Sequence, residues 1–216
     1  MTTAVMSRRR TALGVAAVVA AAVAFLSGCG NVGDGGSAAI VGDTHISIGD
    51  VDAQVQEVLA ARGNPNDRPS QGLVTDTVRR LVITDLVNKA AQSKGVSVTQ
   101  GQVDAYYNQT EAGLGGEQAM QDLFLQNNVP PSAIQGQVEI ALQLDELGAL
   151  LAPGGADADK QNAAYEYMVS FAQQTGVDIS PRFGTWDPVK LALGPLPTDL
   201  ATPVSGDLSI PLQPAG

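Results

Sequence analysis

The chain has 216 residues, with 12 Lys plus Arg against 22 Asp plus Glu, a formal charge of −10, one cysteine and one histidine. A lone cysteine excludes internal disulfides and a thiolate metal site, and a lone His45 excludes imidazole-rich metal centres and forces any Ser-His-Asp relay through that one residue. So acidic a surface repels nucleic acid and anionic headgroups and tolerates basic or apolar segments as partners.

Arg8, Arg9 and Arg10 precede a nearly pure Ala, Val, Leu and Phe run from Ala12 to Leu26. A run of about 15 residues is shorter than the roughly 20 that a helix needs to cross the hydrocarbon core. The pattern predicts a secretory signal over residues 1–28. The tetrad Leu26-Ser27-Gly28-Cys29 resembles the lipobox of bacterial lipoproteins. That resemblance implies a diacylglyceryl group on the Cys29 thiol, cleavage before it, and a chain held by lipid on the extracytoplasmic face of the cell membrane. The plainer alternative is an ordinary signal peptide with an incidental cysteine. Without the three arginines, 9 basic residues face 22 acidic ones, a net of −13.

Residues 29–37 are rich in Gly, Asn, Asp and Ser and are expected to form a flexible tether. A phosphate-binding loop would need a strand before the glycines and Lys-Ser/Thr after them, and has neither. From Ala38 to Ile46, β-branched residues around Gly42-Asp43 predict a small hairpin. Ser47 and Asp50 have the spacing of a capping box, opening a helix from Ile48 to Ala61 with Val51, Val55, Val58 and Leu59 on one face. Gly63-Asn64-Pro65 ends it. A longer helix from Gly72 to Lys94 carries the stripe Val74, Val78, Leu81, Val82, Leu86 and stops at Gly95. Thr99 and Gln102 form a second box, starting a helix with Val103, Tyr106 and Tyr107 that Gly113–Gly116 interrupts. Glu117 to Asn127 presents Met120, Leu123 and Phe124 together, and Val129-Pro130-Pro131-Ser132 breaks and restarts the chain. The next helix runs to Leu151, its apolar line traced by Ile134, Val138, Ala141, Leu142 and Asp145 and widened by Leu144, Leu147, Leu150 and Leu151. Asp157 and Asp159 suit the start of a sixth helix ending at Thr175, and Asp157-x-Asp159 lacks the downstream glutamate of a calcium loop. Val177-Asp178-Ile179 alternates like a strand, and the proline-studded remainder, residues 188–216, is expected to be disordered.

Two stretches carry a family resemblance. Ile40-Val41-Gly42-Asp43-Thr44-His45-Ile46-Ser47 resembles the opening of the SurA-type chaperone domain, and Ile179-Ser180-Pro181-Arg182-Phe183-Gly184-Thr185-Trp186-Asp187 is similar to its closing strand. The resemblance implies a mainly α domain over residues 38–187, with a small two- or three-stranded sheet pairing its first and last segments. It also implies binding of unfolded or exported polypeptides. Relatives usually carry a parvulin prolyl-isomerase domain before the last helix, whereas here that junction is only Leu151 to Asp157, so isomerase activity is not carried over. A non-enzymatic, cofactor-free folding factor follows, anchored to the membrane by lipid, with no nucleic-acid or small-molecule partner. The alternative is a lipoprotein adaptor using the same fold for one envelope protein.

Tyr106, Tyr107, Met120, Phe124, Tyr167, Met168 and Phe171 could line a groove for unfolded segments, because methionine and aromatic side chains adapt to varied apolar partners. Such stripes are more often simply core. Trp186 is expected to plug the closing strand.

Overall fold

A tight turn at Gly42, whose φ of +61° lies where a Cβ is disfavoured, folds β1 (Ser37–Val41) back on β2 (Thr44–Ser47). The computed structural model describes residues 36–196. Signal residues 1–28, Cys29 and most of the tether lie outside that range, as does the tail from residue 197. The hairpin is antiparallel, with Val41 opposite Thr44 and Ile40 opposite His45. On its other edge β1 pairs antiparallel with β3 (Val177–Ile179), Val41 opposite Val177 and Ala39 opposite Ile179. The sheet order β2-β1-β3 therefore joins the first and last segments as expected, with β1 in the middle.

Local chemistry sets the helix starts. Before α1 (Ile48–Ala61), Asp50 N–H donates to Ser47 Oγ at 3.0 Å and Ser47 N–H to Asp50 Oδ2 at 3.3 Å, so the box satisfies two otherwise orphaned amides. Thr99 and Gln102 repeat it ahead of α3 (Gln100–Leu114), and Ser70 Oγ accepts from Leu73 N–H at 3.2 Å to start α2 (Gln71–Ser93). Then come α4 (Glu117–Gln126), a single 3-10 turn at Pro131–Ala133, α5 (Ile134–Leu151) and α6 (Asp157–Thr175). None of these helices is long and apolar enough to cross a membrane.

Apolar burial makes α2 the central element. Leu73, Val78, Val82, Leu86, Val87, Ala90 and Ala91 are buried, and Thr77 is accommodated among them because its Oγ1 donates to Leu73 O at 2.9 Å. Each fully buried Val or Leu contributes about 1.5–3 kcal/mol relative to exposure. The larger cluster joins α2 to the sheet, α1, α6 and the Ile140, Leu144 and Leu147 face of α5. A smaller cluster, Val103, Met120, Val129, Ile134 and Val138, holds α3 and α4 against a second face of α5. At the outer end of the hairpin, Lys89 Nζ bridges Asp43 at 3.2 Å and Asp85 at 3.1 Å and donates to Thr44 Oγ1, fastening the turn to α2. Its hydrogen bond holds the Asp43 carboxyl below the ordinary carboxylate range.

Two expectations are corrected. The buried residues of α5 are Ile134, Val138, Ile140, Gln143, Leu147 and Gly148, while Ala141 and Leu142 are only partly buried and Asp145 is exposed. Two of its faces meet two clusters, Ile134, Val138 and Leu142 the smaller and Ile140, Leu144 and Leu147 the larger, so no single stripe describes it. Regular structure also continues past Asp187. β4 (Trp186–Asp187) pairs antiparallel with β5 (Ala192–Leu193), and Asp187 Oδ1 accepts from Val189 N–H at 3.0 Å and Lys190 N–H at 3.1 Å. Those two bonds close the turn despite Pro188, so residues 188–196 are not a structureless tail. Trp186 packs against the larger cluster, as a plug would.

Candidate functional site

Where α5 meets α6, Gly148 lets the backbones approach so closely that an added Cβ would stand 2.6 Å from Lys160 O. Beside that contact lies a cleft of about 900 Å³ walled by α2, α3, α5, α6 and the β4–β5 turn. Its floor is apolar: Ile83 and Val87 from α2, Ala141 and Leu144 from α5, Ala164 and Met168 from α6. Asp145, Glu146 and Asp157 make the rim acidic, and the one cation there among the described residues, Lys160, is already paired with Asp157 at 3.3 Å. Tyr165 O–H donates to Val189 O at 2.7 Å and fixes the β4–β5 turn, from which Leu191, at φ +50°, completes the wall. A leucine in the left-handed region is uncommon, and its packing on the larger cluster offsets the strain.

A second cleft, about 550 Å³, lies across Ile83 from the first and is lined by Asp76, Arg79 and Arg80 of α2, Leu123, Phe124 and Gln126 of α4, the loop Asn127, Asn128 and Val129, and Gln137 of α5. Ile83 borders both clefts. The loop is held in place by Arg62, whose Nη2 donates to Leu125 O and, at 2.8 Å, to Asn128 Oδ1. Asn128, at φ +60°, donates in turn from Nδ2 to Asp76 Oδ2 at 2.7 Å. Burial pulls the Arg80 guanidinium down to about 10, with Glu57 working against that shift. Its Nη2 is buried and has no hydrogen-bond partner among the described residues.

The seven aromatic and methionine positions do not converge on one groove. Tyr106, 39% exposed, stands on the wall of the first cleft and Met168, 2% exposed, in its floor. Phe124 lines the second cleft, and Tyr107 packs with it against the smaller cluster. Met120 is fully buried at the centre of that cluster and borders neither cleft. Tyr167 and Phe171 lie against the larger cluster with ring centroids 5.9 Å apart, and Lys94 caps Tyr167 at 4.8 Å. Helical spacing placed these side chains on inward faces, and most of them serve the core. Arg79, Arg80, Tyr165 and Leu191 were not anticipated. Adjacent arginines in so acidic a chain were a usable signal, whereas nothing local marks Tyr165 or Leu191.

His45 is exposed on β2, where Ser37 Oγ meets its Nδ1 at 2.8 Å across the hairpin. Among the described residues no group of three or more His, Cys, Asp or Glu could hold a metal ion. A family model described as the SurA-like N-terminal domain matches residues 3–147, ending inside α5. No curated protein and no solved structure matches the chain.

Proposed function

The chain belongs to the SurA-like N-terminal domain family, a chaperone-type, non-catalytic domain, and from that premise we propose that it holds unfolded or exported polypeptides outside the cell membrane. In this reading Cys29 carries the lipid that anchors it, and the protein binds its clients without isomerising their prolyl bonds. The observation that carries the proposal is the cleft between α2, α5 and α6, which pairs an apolar floor with an acidic rim. A floor of that kind accepts aliphatic and aromatic side chains of many sequences, and the rim draws in segments bearing Lys or Arg. Residues 152–156 alone connect α5 to α6, too short a connection to contain a catalytic domain at the junction where relatives insert one.

The test is aggregation of a reduced, unfolded client followed by light scattering. The full chain slows aggregation in a dose-dependent way, and Tyr106→Ala, on an exposed part of the cleft wall, lowers that protection while leaving the far-UV spectrum unchanged. No protection at several-fold molar excess removes the proposal. Crosslinking in cells that recovers one stoichiometric envelope partner instead of many polypeptides would favour the adaptor.

A further inference from the structure

Cations are scarce in this chain, and among the described residues four of nine are paired with acids. Lys89 is bridged to two aspartates, Lys160 to Asp157, Lys190 to Asp187 at 3.4 Å, and Arg79 lies 3.9 Å from Asp76. Arg80 differs. It is half-buried in the second cleft, and its Nη2 is both buried and without a partner among the described residues. The acid that acts on it, Glu57, is committed elsewhere: Oε1 accepts from Ser132 N–H at 2.8 Å and Oε2 from Ser132 O–H at 2.6 Å. The acid in the cleft wall, Asp76, is engaged by Asn128 at 2.7 Å and by Arg79. A guanidinium is a planar fork of donors that matches a carboxylate, and two of them, Arg79 and Arg80, line this cleft beside a single acid that is already engaged.

We propose that the second cleft binds a carboxylate of the polypeptide whose apolar side chains fill the first, with Arg80 as the main donor and Arg79 beside it. The inference rests on the reading that polypeptides occupy these clefts, and it adds a charge and a spacing to what they select. Ile83 borders both spaces, so one extended segment passes from Arg80 over Ile83 towards Val87. Along α2 those seven residues span about 10 Å, which an extended chain covers in roughly three residues. The favoured ligand therefore carries a carboxylate about three residues from a large apolar side chain. Its source is either an Asp or Glu side chain or the C-terminal carboxylate. A net charge of −10 opposes any acidic ligand at long range, so a preference for one must arise locally.

The experiment is fluorescence anisotropy of the full chain with short labelled peptides sharing one Leu/Phe core. One carries Glu three residues from the core and a C-terminal amide, one carries Gln there and a free C-terminus, and a neutral control carries Gln and the amide. At least one acidic peptide is expected to bind about tenfold tighter than the control, the scale of one charge-assisted hydrogen bond. Which one does so identifies the source. Arg80→Gln is expected to bring the acidic peptides to the affinity of the control. Should that variant not fold, the half-exposed Arg79→Gln serves instead, and is expected to narrow the gap between the acidic peptides and the control. Equal affinity of all three peptides overturns the carboxylate site and leaves the chaperone reading standing. If no peptide binds, both fall.

Discussion

One methyl group is enough to test how α5 and α6 are held together. Gly148 has Lys160 O at 2.6 Å, Lys160 C at 3.0 Å and Lys160 Cβ at 3.1 Å from the place its Cβ would occupy, and two of those three atoms are backbone, which cannot swing aside. Gly148→Ala must push the helices apart, and overpacking of this kind costs about 1–3 kcal/mol, against the gain that alanine normally brings in a helix. The urea midpoint of the alanine variant should fall with its m-value unchanged. Nothing around residue 148 in the sequence reveals this, because the obstructing atoms belong to a residue on the next helix. Arg80 is a similar case. Its charge and its neighbour Arg79 are plain in the sequence, but the burial of one of its nitrogens is a tertiary property that no local pattern shows.

Among the elements, α3 and α4 are the most lightly held. Val103 is the only buried side chain on α3 and Met120 the only one on α4, whereas α2 buries eight. Local opening follows the amount of apolar surface fixed, so amides in Gln100–Gln126 should exchange faster than those of Gln71–Ser93. Truncating Met120 to Ala costs about 2–5 kcal/mol by cavity formation. In hydrogen exchange the loss should concentrate in α3 and α4; a uniform loss reaching the sheet would contradict two separable clusters. Most element boundaries were legible because their causes are local. Ser47 with Asp50, Thr99 with Gln102, and the glycines at 95 and 176 act within a few residues of chain. The β4–β5 turn was not legible, since its strands are only two residues each and its closure depends on the Asp187 side chain and on Tyr165 from α6. The two apolar faces of α5 were hidden for a related reason: each has helical spacing, but each packs against a different cluster.

At the scale of the whole molecule, attachment and binding are separable properties. If Cys29 bears the anchor, Cys29→Ala should leave the circular dichroism and peptide affinity of the chain intact and release it from washed vesicles into the soluble fraction. Retention equal to that of the unaltered protein would remove the lipid and with it the proposed location.

The place of β1 in the sheet gives such an attachment a mechanical meaning. Tension applied through the residues ahead of Ser37 enters the middle strand of three, with β2 bonded along one edge and β3 along the other. Drawing that strand out means rupturing both ladders and uncovering Ala38, Ala39 and Val41, all at 1% exposure or less. A tug on such a leash would thus be borne by two ladders at once.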